Sequence, residues 1–215
     1  MADYNQIAGQ RSQRIEAIGD GVFAIALTLL ILDIKVPVNE TIKSEGSLIN
    51  AFLGLIPRFM SYFLSFMTQG IYWSAHSTQF HYISKSDRNL NWINLFFFLF
   101  VSITPFTTAF LSQHIAFKFA IGVYWLNLIL LGLMLAINWY YVDKHNFISL
   151  GENEKIMIGK AIRRRIIEAQ LLYTIGALLC IINTYLSIIV LILIQLNYAL
   201  VLFSKRKKRQ SNIQY

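Results

Sequence analysis

The sequence predicts an all-α integral membrane protein with six transmembrane helices. Of its 215 residues, 56% are hydrophobic and only 14% are charged, whereas soluble domains usually carry about 25% charged residues. With 3 prolines and 11 glycines, the long apolar runs are rarely interrupted, which favours helices over many short strands. This composition excludes a disordered chain and argues against an ordinary soluble enzyme.

Six segments are apolar enough to be transmembrane helices, each of which needs about 20 residues to cross a hydrocarbon core of roughly 30 Å. Pro37 follows the first segment and helps to end it. The last apolar stretch is too long for one crossing, and a turn is expected at Asn183 and Thr184. A short interfacial helix is expected over residues 155–165. The predicted membrane helices cover approximately residues 20–36, 47–84, 91–111, 117–142, 163–182 and 185–203.

The second segment, residues 47–84, allows either one long helix or two short ones. With one long helix the chain crosses six times, and both termini share a side with nearly all the basic residues. The opposite side then carries only Lys35, Lys43 and Lys118. Because Lys and Arg accumulate on the cytoplasmic side, we expect six crossings of the cell membrane with both termini cytoplasmic.

The same reasoning divides the chain into three parts. Residues 1–19 are predicted to be a cytoplasmic N-terminal segment, residues 20–203 the six-helix transmembrane domain, and residues 204–215 a basic cytoplasmic tail. The net charge of +8 is therefore interpreted as membrane orientation and not as nucleic-acid binding. The tail is expected to act as an orientation anchor, with binding of anionic lipid as the alternative.

Asp20 stands where the first helix enters the membrane. A carboxylate there is costly unless it is paired, hydrogen-bonded or hydrated. Arg14 lies six residues earlier and is a poor match for the same helical face, so partners are expected on other helices. Asp20 is either a structural latch or a proton or ion site.

Two stripes run along this helix. Small residues at Ala17, Gly21 and Ala24, continued by Thr28, allow another helix to approach closely. The neighbouring stripe combines Thr28 with apolar side chains that recur at helical spacing. Periodicity alone favours contact with lipid or core for this second stripe, which comprises Ile25, Thr28, Leu29 and Leu32.

Further polar side chains fall within the second and third predicted helices. Trp73 and His76 are three residues apart and share a face, as do Asn91 and Asn94 on the next helix. The bilayer cannot satisfy such groups, so they need partners inside the protein. One network could join Arg14, Asp20, Trp73, His76 and Asn94, with helix–helix adhesion as the simplest role.

Motifs for catalysis and for cofactors are absent from the sequence. It has no phosphate loop, no G-x-S-x-G and no dinucleotide fingerprint. Its four histidines and one cysteine form no recognisable metal cluster, so we expect neither an enzyme nor a bound metal or cofactor. The potassium-filter sequence T-V-G-Y-G is also absent.

Arg14, Asp20 and Gly21 carry a family resemblance. Their spacing resembles the R-x-x-x-F-S-D-G signature of the transmembrane protein 175 family, which comprises endolysosomal potassium channels and their prokaryotic relatives. Ile18 and Gly19 stand where Phe and Ser are usual, which removes a serine hydroxyl from the signature. The segment Trp73-x-x-His76 and the segment Thr104-Pro105-Phe106-x-Thr108 are also similar to the family.

The resemblance implies that helix 1 lines a central pore. The apolar constriction of the family maps five, nine and twelve residues after the signature aspartate, onto Ile25, Leu29 and Leu32, and Thr28 matches a polar pore-facing position. One six-helix unit fits the prokaryotic members, which assemble as homotetramers in the bilayer. The implied function is a potassium-selective cation channel with potassium as the permeant ion, and relatives can also conduct protons.

An apolar constriction made by four copies of these side chains can gate by dewetting. It offers no replacement ligands, so potassium, which holds its water less tightly than sodium, should cross more easily. Asp33 and Glu40 could concentrate cations near the outer mouth. The main rival is a proton-coupled secondary transporter using Asp20 and His76; a non-conducting scaffold and an intramembrane enzyme are further alternatives.

Overall fold

The chain forms a bundle of long helices joined by short turns. A computed structural model describes residues 11–38 and 42–211, with side chains as far as residue 199. Short 3-10 turns, Leu30–Asp33 and Leu179–Ile181, extend α1 and α6. Regular structure in these ranges is helical, which confirms the all-α prediction. The helices are α1 (Ser12–Leu29), α2 (Glu45–Leu53), α3 (Ile56–Phe80), α4 (Arg88–Gln113), α5 (Lys118–Lys144), α6 (Glu152–Leu178) and α7 (Thr184–Ser211).

Three helices, α1 with its 3-10 extension, α4 and α5, are long and apolar enough to cross a membrane. The pair α2 and α3 passes the same criterion together and would be a fourth span. The apolar part of α7, Thr184–Ala199, is shorter, and α6 carries Arg163, Arg164 and Arg165 near its middle. The chain is therefore a membrane protein by these helices, and six crossings stay a prediction.

The prediction of one continuous helix over residues 47–84 is wrong. The structure breaks it after Leu53 and bends the two parts by 41°. Pro57 lies in the first turn of α3, where it has no N–H to donate and its ring would clash with the carbonyl of Leu53 in an unbroken helix. Because the bend is only 41°, the chain does not reverse here, and α3 continues onward for 25 residues.

Other boundaries also differ from the sequence-based expectation. Helix α1 begins at Ser12 and not near Asp20. The interfacial helix expected over residues 155–165 is the first part of a continuous α6. The turn predicted at Asn183 is confirmed, since its Oδ1 accepts hydrogen bonds from the N–H groups of Tyr185 and Leu186, at 2.8 and 3.2 Å, and caps α7.

The antiparallel helices α4 and α5 lie at the centre of the packing. Helix α3 packs on α4 and on α7, and α6 packs on α5 and α7. Helix α1 packs on α3 and α4. Large side chains fill the core between these helices, among them Leu64, Leu90, Val101, Leu111, Tyr124 and Leu128.

At the end of the bundle near Ser12, hydrogen bonds between the loops hold neighbouring helices together. Ile83 and Ile148 form an isolated antiparallel bridge, and the Ser12 hydroxyl donates to the Ile83 carbonyl at 3.2 Å. Asp87 caps α4 through the Leu90 N–H at 2.8 Å and accepts the Tyr141 hydroxyl at 2.6 Å. These bonds place the start of α1 against the α3–α4 turn.

Candidate functional site: the exposed face of the first helix

One face of α1 is buried against α3 and α4. Phe23 lies within 5.9 Å of the Phe97 ring and 6.4 Å of the His76 ring, measured between centroids. At Gly19 an added Cβ would lie 3.1 Å from both His76 Cε1 and a Phe98 ring carbon. The glycine that replaces the serine of the family signature therefore lets α1 approach α3 and α4 closely. The buried face comprises Ser12, Ile15, Gly19, Phe23 and Ala26, followed by Leu30.

The opposite face of α1 carries an uncovered apolar row. Ile25 is 61% exposed, Leu29 44% and Leu32 67%. From Ile25 to Leu32 the row is about 10 Å long, and its members lie within roughly 60° of one another around the helix axis. A soluble surface rarely exposes such a row, so lipid or a neighbouring protomer must cover it, or it must face a pore.

Thr28 belongs to the same exposed face. Its hydroxyl donates to the Ile25 carbonyl at 2.8 Å, which leaves the oxygen lone pairs free to accept. Ala17, Gly21 and Ala24 are also exposed, and a Cβ added to Gly21 would meet nothing within 4 Å. The small stripe thus leaves an open strip beside the apolar row on which another helix could pack.

Ile18 is a further exposed member of this face that the sequence reasoning missed. It is 52% exposed and precedes Ile25 by seven residues, which is about two helical turns. The signal was available in the sequence as this heptad spacing. The apolar row can therefore be extended by two turns toward the start of α1.

Asp20 and Trp73 form a hydrogen-bonded pair at the edge of this exposed face. The Trp73 indole N–H donates to Asp20 Oδ1 at 2.8 Å, and both residues are exposed. Arg14 is exposed as well, and within residues 11–38 and 42–199 no hydrogen bond or ion pair joins it to either of them. This surface carboxylate lies eight residues into α1, about 12 Å from the helix start.

His76 and Asn94 belong to a separate, buried network. His76 Nε2 lies 3.0 Å from Asn94 Oδ1. The Asn94 amide donates to Leu90 O at 2.8 Å and to Asn138 Oδ1 at 2.9 Å, so its Oδ1 accepts and His76 Nε2 carries the proton. Asn138 in turn donates to Gln79 Oε1 at 2.7 Å. The network links α3, α4 and α5.

The single network expected from the sequence is therefore two separate sets. Trp73 and His76 are neighbours on α3, but Trp73 reaches the outer edge of α1 while His76 lies between α1 and α4. An indole N–H only donates, so Trp73 cannot pass a proton from Asp20 to His76. In the described part of the chain no clustered His, Cys, Asp and Glu side chains could hold a metal ion.

A second buried cluster joins α3, α4, α5 and α7 and was not anticipated. Thr108 donates to Ser65 at 2.7 Å, Thr68 and Tyr124 share a hydrogen bond of 3.0 Å, and Gln195 donates to Thr68. Polar residues three or four apart in apolar helices are the signal that could have found it. The cluster fastens α7 to the centre of the bundle.

Asp33 ends the exposed row at the far end of α1. Its carboxylate accepts hydrogen bonds from the Ser112 hydroxyl and, at 3.3 Å, from the Gln113 side chain. The charge expected to attract cations is thus also a tether between α1 and the end of α4. Glu40, the other acidic residue expected there, lies outside the described residues, as do the side chains of the basic tail.

The comparisons with known proteins agree on one family. Residues 14–105 match the family described as "Endosomal/lysosomal potassium channel TMEM175". A potassium channel of Chryseobacterium is 32% identical over 143 residues, which are 66% of this chain and 69% of that protein. A potassium channel of Streptomyces collinus is 37% identical over 137 residues, covering 62% of this chain and 65% of that protein, so the match spans just under two thirds of its length.

The human endosomal/lysosomal proton channel TMEM175 is 41% identical over 110 residues, which cover 47% of this chain but only 22% of the human protein. Among solved structures, that of a lysosomal potassium-selective channel TMEM175 homolog from Chamaesiphon minutus matches with a TM-score of 0.74. It is 27% identical in sequence, and the match covers 88% of this chain and 96% of that one. The similarity therefore extends through nearly the whole bundle.

Proposed function

Because this chain belongs to the TMEM175 family of channels, we propose that it is a cation channel of the cell membrane that selects potassium and is built as a homotetramer around α1. The observation that carries the proposal is the uncovered apolar row on α1. Proteins similar to the chain include two described as potassium channels and a potassium-selective homologue of known structure. The same row would form the constriction.

Four copies of α1 around an axis would stack Ile25, Leu29 and Leu32 into three apolar rings. Such rings exclude water when narrow, which provides a gate. When they are wide enough to conduct, they strip or thin the hydration shell without replacing it. Potassium loses water at lower cost than sodium, so discrimination favours potassium and is weaker than in a filter of carbonyl groups.

The polar residues of α1 support assembly in this arrangement. The Asp20–Trp73 pair is exposed on the protomer, and a carboxylate facing hydrocarbon would be costly. Packing of neighbouring α1 helices along Ala17, Gly21 and Ala24 would bury the pair between protomers or open it to the pore. Close approach along small residues is a common basis of helix association in membranes.

The proposal is tested by reconstituting the purified protein in liposomes and measuring the reversal potential under opposing potassium and sodium gradients. We expect Ile25→Asn to raise sodium permeability relative to potassium, because the amide replaces part of the lost hydration of either ion. Ile31→Asn is the matched control: Ile31 lies in the 3-10 turn that extends α1 and is 43% exposed, but it is rotated about 120° away from Ile25.

Unchanged selectivity in Ile25→Asn, with normal expression and assembly, would remove this residue from the constriction. An equal change in both variants would mean that the exposed face as a whole, and not the row, controls permeation. Flux that saturates and requires a proton gradient would instead support a proton-coupled secondary transporter.

A further inference from the structure

The α6 helix carries three consecutive arginines, and their partners differ. Arg163 forms an ion pair with Asp143 at 3.4 Å, and Arg164 forms one with Glu168 at 2.6 Å. The Arg165 guanidinium lies over the Tyr198 ring of α7, 5.3 Å from its centroid. Among the side chains that the structure describes, no carboxylate pairs with Arg165, so its charge remains available to an anion.

Arg165 lies beyond the polar end of the apolar surface of α6. The exposed side chains of α6 between residues 171 and 178 are all apolar, which marks a lipid-facing surface. Arg165 is thirteen residues from Leu178, about 20 Å along the helix, against a hydrocarbon core of roughly 30 Å. An unpaired guanidinium at this depth is expensive unless it reaches an anion at the membrane surface.

An open groove between α6 and α7 runs from this arginine into the apolar zone. Its polar end contains two guanidinium groups against one carboxylate, that of Glu168, and its other end is apolar. Asn197 and Tyr198 lie at the polar end, where amphipathic side chains are typical of the membrane interface. The lining includes Arg164, Arg165, Leu172, Ile194, Asn197 and Tyr198.

We propose that this groove binds an anionic phospholipid of the cytoplasmic leaflet. The lipid phosphate accepts hydrogen bonds from the Arg165 guanidinium, which suits a bidentate anion, and an acyl chain lies along Leu172 and Ile194. Basic pockets between transmembrane helices on the cytoplasmic side favour anionic headgroups. The groove is lined by residues of α6 and α7, so within one protomer the bound lipid contacts this hairpin and not the apolar row of α1.

The test measures lipid binding to the purified full-length protein in neutral detergent by native mass spectrometry, with phosphatidylglycerol and phosphatidylcholine as probes. We expect Arg165→Gln to weaken phosphatidylglycerol binding at least fivefold, the effect of one basic residue near an anionic headgroup. Arg163→Gln is the matched control, because it removes the same charge from the arginine two residues away, and Arg163 does not line the groove. It should bind as the wild type does.

Arg165→Lys keeps the charge but loses the bidentate geometry, so its binding should lie between that of the wild type and that of Arg165→Gln, which separates loss of the charge from loss of the fold. Equal weakening in Arg163→Gln and Arg165→Gln would overturn the proposal in favour of general electrostatic attraction. If the wild type bound phosphatidylcholine as tightly as phosphatidylglycerol, the groove would recognise only the acyl chains and not the anionic headgroup. That result would also overturn the proposal. None of these outcomes depends on ion conduction, so the proposed channel function stands or falls separately.

Discussion

Replacing Asn94 by leucine should destabilise the bundle by more than the change in side-chain size suggests, because it removes buried hydrogen bonds. The two side chains have the same number of non-hydrogen atoms and the same branching, so the change removes the polar groups and keeps the overall shape of the side chain. Asn94 makes three hydrogen bonds, to His76, Asn138 and Leu90, at 2.8–3.0 Å. At about 0.6 kcal/mol for each bond inside a membrane, their loss amounts to roughly 2 kcal/mol.

The groups left behind add to this loss. His76 Nε2 and Asn138 Oδ1 are both buried and would have no replacement partner, and each such group costs about 1–3 kcal/mol in a fully dry site. Allowing for partial relaxation, we expect Asn94→Leu to lower the free energy of unfolding by about 2–4 kcal/mol. The double variant with Asn138→Leu should lose less than the sum of the single variants, because it removes one of the orphaned groups.

Unfolding in mixed micelles titrated with sodium dodecyl sulfate, followed by tryptophan fluorescence, measures this difference. Asn91→Leu is the matched control, one turn earlier on the same helix and only half-buried. Within the described residues its side chain makes no hydrogen bond like those of Asn94. If Asn94→Leu and Asn91→Leu differ by less than about 0.5 kcal/mol, the buried network does not stabilise the bundle as reasoned here.

Three further variants test separate parts of the structure. Asp20→Ala should reduce the tetramer fraction in size-exclusion chromatography more than it changes ion preference, since it removes the acceptor of the indole bond; normal assembly with altered selectivity would contradict this. Thr28→Val should lower single-channel conductance and leave the oligomer intact, and an unchanged conductance would exclude the hydroxyl from the ion path. Gly176→Val should lower stability by about 1–3 kcal/mol, because a Cβ there would lie 2.7 Å from the buried Leu191 side chain. Gly122→Val, where a Cβ meets nothing within 4 Å, should have little effect in the same unfolding assay.

The positions of most helices were predictable because hydropathy is a property of consecutive residues. Observed α4 and α5 begin and end within about three residues of the predicted bounds, and the turn before α7 lies where Asn183 predicted it. The bend before α3 was missed although Pro57 was visible, because the charge count concerns the number of crossings and is silent about a break within one. Helix α1 begins earlier than predicted because its first turn is polar and is held by the Ser12–Ile83 hydrogen bond.

The residues of the candidate site also divide into features that the sequence predicted and features that it could not predict. Periodicity grouped Ile25, Leu29 and Leu32 on one face, and the structure leaves that face uncovered while it buries the face of Phe23. Spacing placed Trp73 and His76 on one side of a helix but could not assign their partners. Those partners, Asp20 for one and Asn94 for the other, depend on how three helices meet at Gly19.

The sequence by itself determined that the chain is a helical membrane protein and which residues share each helix face, since length, hydropathy and a period of 3.6 residues are local properties. Only the tertiary structure decided which face of α1 is buried, how the polar residues divide into two sets, and that Arg165 alone of three arginines lacks a carboxylate partner in the described chain. Those outcomes follow from distances between helices far apart in sequence. Such distances are set by packing against glycines and by the need of each buried polar group for a partner.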